Sequence, residues 1–568
     1  MQRLIKILSF VRGNLLIFLI IGLALILRFG GLTFLPPSLN WDEVSHGYNA
    51  YSILQTGKDE WGFTFPTIFR AYGDYKLPVY IYLTAVSEFF LGLNELAVRL
   101  PSVLAGALSV LFTYLLVIEL TKKRSLGLVS AFLLAVGPCS LFLSRIAVEA
   151  NLSLTLIISG IYFFLKGLRN SKFLITASIL LGLSVWTYNS ARIFVPLILV
   201  TLIILHYEKL LKIYRKRKTI IYSSLFIILI FFLPMFWQLV NPSGQARYGW
   251  VEILDEGAIA QINESRGSSN LPGILPTLAH NKATFFLKTF ISNYFSHFSP
   301  EFLFFEGGSN YQFSVPGYGL LYSINLPFFL IGFFVLAFRT KDKRISLLVA
   351  SWFLIAPIAS SLTREAPHAL RSIVFLPAPQ IIISFGLISS YTYVKKRWKN
   401  IALLFVGGYA FVLLAQIESY AKVALFEYRE KYSWSWQYGY KQVVEYVKSN
   451  YTRYDKIIVT KKYGEPHEFF LFYWPWEPEE YRNDANLNRF YQSNWYWVDS
   501  FDKFYFVNDW QIVGDDPEVF VLESGGEVDC REINCLLITS PGNVPTGWSK
   551  VKTINFLNGE PAFEIHEN

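Results

Sequence analysis

The chain has 568 residues, of which 53% are hydrophobic and only 16% charged, and its mean hydropathy is +0.35. That composition excludes a string of water-soluble domains and points to a protein that spans a lipid bilayer. The net charge of +9 would suit nucleic acid only as a soluble basic patch. The Lys and Arg residues instead sit in short clusters between apolar runs, where they set topology and meet anionic lipid, so no nucleic-acid partner is expected.

The first apolar run, about 14–32, is too long for a signal-peptide core and has no small-residue cleavage pattern after it, so it reads as a retained anchor. Further spans are expected at about 101–120, 125–143, 151–166, 173–189, 193–206, 219–239, 319–338, 345–362, 372–392 and 401–416, about eleven transmembrane helices in all. Basic clusters lie at Arg3/Lys6/Arg12, 122–124, 166–172, 209–218, 339–344 and 395–399. With eleven spans every cluster falls on one side, which puts the N-terminus in the cytoplasm and the tail beyond Glu418 outside. A span at 77–91, which carries Glu88, would send all later clusters to the wrong face. Residues 48–93 therefore read as an outer loop with interfacial helices.

Two more outer segments are long, 241–317 and 418–568. The second holds a helix-like stretch at 437–448 and strand-like runs at 456–460, 504–507, 535–539 and 562–565, the pattern of a small α/β domain. The expected organisation is an all-α polytopic membrane domain over 1–416 and an exported α/β domain over 417–568. Cys139 lies in an apolar run and reads as a packed thiol; Cys530 and Cys535, without further Cys or His near them, are a poor zinc pattern. In an exported domain those two could equally form a local disulfide or stay as thiols. The sequence shows no internal repeat.

Residues that could carry chemistry gather in the outer segments. Trp41-Asp42-Glu43 places two carboxylates just after the first span. Either they sit at a helix N-terminus, with Asn40 or Asp42 as cap, or they act on a substrate, and the two roles are compatible. Lys76, ahead of Leu77-Pro78, would hold its ammonium at headgroup level, as a phosphate contact or by ordinary snorkelling. Arg145 and Glu149, spaced i, i+4, are an ion pair on one helix face or a functional pair. Arg364, His368 and Arg371 together suggest an anion site, and His297 is a candidate substrate contact in the 296–310 loop. Several clusters on one face are what an active site assembled from distant segments requires.

Asp42-Glu43 after the first span, Lys76 with Pro78, Val98-Arg99-Leu100-Pro101-Ser102 and Pro367-His368-x-x-Arg371 resemble the membrane-embedded GT-C glycosyltransferases. The nearest branch resembled is that of protein O-mannosyltransferases and lipid A aminoarabinose transferases, over about residues 14–416. The resemblance implies an inverting transferase that moves a sugar from a polyprenyl-phosphate carrier to a hydroxyl of a protein, lipid or glycan acceptor outside the inner (plasma) membrane. It implies Asp42 as base with Glu43 beside it, Lys76 on the carrier phosphate, and Glu149 as a second substrate-binding carboxylate. The chain departs from the Glu-Lys-Pro motif of the aminoarabinose transferases, with Tyr75 in place of Glu and Leu77 before Pro78. A carboxylate must take the hydroxyl proton during attack, and cations must meet the charge growing on the leaving phosphate. No Asp-x-Asp loop for a nucleotide sugar is present, and Asp515-Asp516 reads as a turn. A divalent cation (Mg or Mn), if one is used, would be held by Asp42 and Glu43. The alternatives are a transporter or flippase for a lipid-linked glycan, and a polysaccharide polymerase or ligase.

Overall fold

The structure, a computed structural model, describes residues 2–514 and 516–568, with side chains outside 2–12, 243 and 247. The side chains of Arg3, Lys6 and Arg12, and Asp515, lie outside the described residues. The chain forms two compact units, each drawn from several stretches of sequence. One comprises Met1–Gly30, Ser102–Ser144 and Val148–Ala421, the other Gly31–Pro101, Arg145–Ala147 and Lys422–Asn568.

The first unit is helical. Among the described residues, seven helices are long and apolar enough to cross a bilayer: Glu95–Thr121, Glu149–Gly167, Ala191–Lys216, Lys218–Leu239, Lys343–Ser361, Ile373–Arg397 and Ala402–Lys431. Each overlaps an expected span. Five apolar helices are shorter: Gly13–Phe29, Arg124–Val136, Phe173–Val185 and Ser323–Arg339 overlap the other four expected spans, and Pro78–Leu91 is the segment read as interfacial. The shortening has local causes. Arg124–Val136 stops at Gly137, because Pro138 has no N–H to continue the ladder and starts a new turn over Pro138–Leu143.

Close helix packing in this unit depends on absent side chains. A Cβ on Gly332 would stand 1.9 Å from the Ile382 carbonyl, and one on Gly386 1.9 Å from that of Phe328. The helices Leu326–Phe334 and Ala378–Arg397 thus meet backbone to backbone. Arg28, fully buried, donates to the Ala24 and Ala135 carbonyls at 3.2 and 2.9 Å and to Ser140 Oγ at 3.0 Å. A guanidinium among apolar helices is stable only when its N–H groups find acceptors in this way.

The second unit is built on a seven-stranded sheet. Its strands follow α1 (Gln2–Phe29), α2 (Trp41–Thr56), the two-residue pair β1 (Phe69–Arg70) and β2 (Tyr75–Lys76), and α3 (Pro78–Leu91) in the chain. They are β3 (Lys456–Thr460), β4 (Asn488–Gln492), β5 (Trp495–Phe501), β6 (Phe504–Val507), then the separate pair β7 (Val519–Val521) and β8 (Glu527–Asp529), then β9 (Cys535–Thr539), β10 (Ser549–Asn555) and β11 (Pro561–Glu567). The spatial order is β10-β11-β9-β3-β6-β5-β4. Central β3 pairs parallel with both β6 and β9, and the other pairs are antiparallel. A strand flanked in parallel and covered on both faces reads as a continuous apolar run, as Ile457-Ile458-Val459 does. At the edge, β10 turns Lys550 and Lys552 to solvent, which discourages pairing with another chain. Cys530 and Cys535 form a disulfide with Cα atoms 5.9 Å apart, and Cys139 is a buried free thiol.

Helix Pro466–Tyr473 packs on α2, and Gly47 makes the approach fit. A Cβ there would lie 2.4 Å from the Phe472 ring and 2.8 Å from Val98 Cγ2. Gly47→Val is therefore expected to lower stability by about 1–3 kcal/mol through overpacking. The check is a thermal melt of the purified protein with limited proteolysis of the 422–568 region.

Candidate active site

The site is laid out by the first turn of α2. Asn40 is the N-cap: its Oδ1 accepts from Glu43 N at 3.0 Å, and Glu43 Oε2 accepts from Asn40 N at 3.2 Å, a complete capping box. The cap is thus Asn40, and Asp42 occupies the second helical position with its carboxylate left to other partners.

Glu43 is not exposed at all. Arg99 grips it in a bidentate pair, Nε to Oε1 at 2.9 Å and Nη2 to Oε2 at 3.0 Å, with both side chains 1% exposed. Ala147 N adds a bond to Oε1 at 2.8 Å. The remaining guanidinium N–H groups go to the carbonyls of Leu32, Pro36 and Ser38 at 2.9, 3.2 and 2.6 Å. Both Glu43 oxygens are taken by N–H donors, so a cation held jointly by Asp42 and Glu43 is not the arrangement found. The Arg-Leu-Pro-Ser stretch noted in the sequence thereby acquires a physical role.

Asp42 differs in every respect. Its carboxylate is 32% exposed, and Lys76 Nζ lies 2.8 Å from Oδ1; the same ammonium is 3.7 Å from Asp74. Lys76 is placed by the β1–β2 pair, in which it faces Phe69. Next in the chain, Trp41 packs against Tyr72 and Trp495, and those two rings stack at 5.7 Å. Burial, with Glu468 and Asp42 nearby, raises the Tyr72 phenol well above its ordinary range. It stays a donor, to the Trp41 carbonyl at 2.8 Å. Arg145 belongs to the same unit. It donates to the Gly31 and Leu35 carbonyls at 2.7 and 2.9 Å. The expected helix face shared with Glu149 does not form, because the helix begins at Glu149 itself.

The other sequence candidates lie in the helical unit. His297 is fully buried, with Nδ1 2.6 Å from the Asn293 carbonyl and Nε2 2.8 Å from Ser360 Oγ. Burial holds its pKa at about 4, so the imidazole is neutral and tied to the protein at both nitrogens. That is the setting of a core residue, not of the loop contact expected. Arg364 is half-exposed and pairs with Asp255 at 2.8 Å. Arg371 pairs with Glu365 at 3.0 Å and donates to Thr363 Oγ1 at 3.0 Å; its backbone N–H meets His368 Nδ1 at 3.4 Å. Arg371 and Arg192 line a cavity of about 250 Å³ with Tyr188, Tyr248 and apolar side chains.

Because Glu43 and Arg99 are both buried, removing one strands the other. Glu43→Gln and Arg99→Ala should each destabilise the protein by about 3–5 kcal/mol. Asp42→Asn, at a partly exposed position, should leave the melting temperature nearly unchanged. Thermal melts of the three variants beside wild type check this.

The comparisons with known proteins agree with the fold. Residues 76–237 match the family model described as dolichyl-phosphate-mannose-protein mannosyltransferase. ArnT from Cupriavidus metallidurans bound to undecaprenyl phosphate is similar with TM-score 0.52 and 12% identity, over 98% of this chain and 98% of that one. Its apo state gives TM-score 0.51 at 12% identity and 97% of each chain. The Archaeoglobus fulgidus oligosaccharyltransferase tethered with an acceptor peptide gives TM-score 0.49 at 14% identity over 82% of this chain, which spans 63% of that one. No curated protein matches the sequence. The chain has the fold of the GT-C membrane glycosyltransferases and, over residues 76–237, the sequence pattern of their protein-mannosyltransferase members.

Proposed function

We propose that the protein is an inverting glycosyltransferase that moves a sugar from a polyprenyl-phosphate carrier to an acceptor hydroxyl at the outer face of the inner (plasma) membrane. The observation that carries this reading is the Asp42–Lys76 pair: a partly exposed carboxylate on α2 and a cation on β2, 2.8 Å apart. Asp42 takes the proton of the acceptor hydroxyl as its oxygen attacks the anomeric carbon. The carbon–oxygen bond to the carrier phosphate breaks, and Lys76 meets the charge that appears on that phosphate. Lys76 is shared between Asp42 and Asp74, so an arriving phosphate competes for an ammonium already placed at the base. Glu43 acts on this reading as a positioning residue, since its oxygens are engaged by Arg99, Ala147 and Asn40.

Further support comes from elsewhere in the chain. The similar ArnT structure holds undecaprenyl phosphate. The Arg192/Arg371 cavity combines two cations with apolar walls, the character an anionic lipid head requires. The Cys530–Cys535 disulfide suits an oxidising compartment for the 422–568 region, in keeping with eleven spans and a cytoplasmic N-terminus.

The test uses purified protein in liposomes with a panel of polyprenyl-phosphate sugars and candidate acceptors. Wild type should release free polyprenyl phosphate from one donor, and Asp42→Asn should lower that rate by about 10²–10⁴-fold with the fold intact. Lys76→Ala should impair the same step. Undiminished transfer by Asp42→Asn would remove it as the base, and transport of an intact lipid-linked sugar without cleavage would replace the reading with that of a flippase.

A further inference from the structure

Behind the Asp42 face of α2 lies a group of buried side chains that the transfer reaction does not use. Glu60 follows α2, and His467 and Glu468 lie in the first turn of the Pro466–Tyr473 helix. One ligand atom from each lies within 4.8 Å of the others. His467 Nε2 is 4.0 Å from Glu60 Oε1 and 3.8 Å from Glu468 Oε1, and the three side chains are no more than 3% exposed.

Two buried carboxylates this close need a cation or a shared proton between them. Two observations favour the cation. His467 Nδ1 stands 3.5 Å from Glu465 Oε2, the carboxylate position that orients a metal-bound imidazole from behind. Asn49 Nδ2 holds Glu60 Oε2 at 3.3 Å, which leaves Oε1 on the His467 side. Arg489 donates from Nη2 to the Glu60 carbonyl at 3.0 Å and stands 4.0 Å from the carboxylate, one positive charge beside two acids.

We propose that Glu60, His467 and Glu468 form a structural site for one Zn²⁺ ion, joining the 31–101 segment to the C-terminal sheet region. One imidazole nitrogen with two carboxylate oxygens is a donor set for zinc rather than for Mg²⁺ or Ca²⁺, which take oxygen ligands. Donors of a tetrahedral zinc stand about 3.4 Å apart, so these side chains draw in by roughly half an ångström on binding. The ion would brace α2 from Asn49, two turns beyond Asp42, and touch no substrate.

The experiment uses untagged full-length protein, purified in detergent without chelator, and reads metal content and melting temperature rather than sugar transfer. Its failure is thus separate from failure of the glycosyltransferase reading. Wild type should retain about one zinc per chain after dialysis and lose it to a strong chelator, with a fall in melting temperature that Zn²⁺ reverses and Mg²⁺ does not. His467→Ala should retain none. Should that variant not fold, Glu465→Gln keeps all three ligands and should weaken zinc binding by about 10–100-fold through loss of the imidazole's partner. A wild-type chain without zinc, whose melting temperature responds to neither chelator nor added Zn²⁺, overturns the site in favour of a shared proton. Full zinc content in His467→Ala overturns the ligand assignment.

Discussion

The buried ion pair of Glu43 and Arg99 is the constraint on which the geometry around Asp42 depends. Taking two charges out of water is costly, and the attraction between them compensates only when every remaining donor and acceptor is matched. Here they are. The carboxylate accepts from Arg99, Ala147 and Asn40, and the guanidinium also donates to three carbonyls of the 32–38 loop. One interaction therefore joins the loop entering α2, the helix start itself, the Arg99 segment and residue 147. Asp42, next to Glu43 on a helix, must then project about 100° away from it, toward Lys76. Adjacent acids are thus divided between a buried strut and a partly exposed carboxylate by their surroundings alone.

The sheet region contributes to the same geometry by packing rather than by charge. Trp495 from β5 stacks on Tyr72, and Tyr496 N donates to the Tyr72 carbonyl at 2.7 Å, so the loop ahead of Lys76 is held by a strand more than 400 residues away in sequence. Gly464 has φ +110°, and a Cβ there would stand 2.0 Å from the Trp41 ring. Glycine is required at that point on both counts. Substitutions in the tail thus reach the Asp42 carboxylate without touching it.

Much of the fold was legible because it rests on runs and periods. The strands 456–460, 504–507 and 535–539 stood out as apolar runs, and burial on both faces is why. The edge strands β4 and β10, and β5 next to β4, did not, since Trp, Tyr, Lys and Arg side chains interrupt any apolar run there. Phe469 to Phe472 are buried in the Pro466–Tyr473 helix, an aromatic run with neither a strand nor a helix period to mark it. At the site, Asp42, Glu43 and Lys76 were named from position, but not their division of labour. Glu43 and Arg99 are 56 residues apart, and His297 meets Ser360 63 residues away. No local pattern carries such pairings, and a histidine between Ser296 and Phe298 gives no sign that its ring is enclosed. Glu60, His467 and Glu468 escaped for the same reason.

The partition of the chain shows where selectivity for substrate could evolve. Asp42, Lys76, Asp74 and the rings of Trp41, Tyr72 and Trp495 all belong to the unit built on the sheet, whose core is closed by β3, β9 and the Cys530–Cys535 bridge. The Arg364–Arg371 cluster and the Arg192/Arg371 cavity belong to the helical unit. Helices in a bilayer are constrained by apolar length and by backbone contacts such as Gly332–Gly386, which tolerate little change. Loops and edge strands of a sheet with its own core tolerate far more. On the glycosyltransferase reading, the base and the lysine that meets the carrier phosphate both lie in the unit free to vary, so its loops and edge strands can change around a fixed Asp42–Lys76 pair.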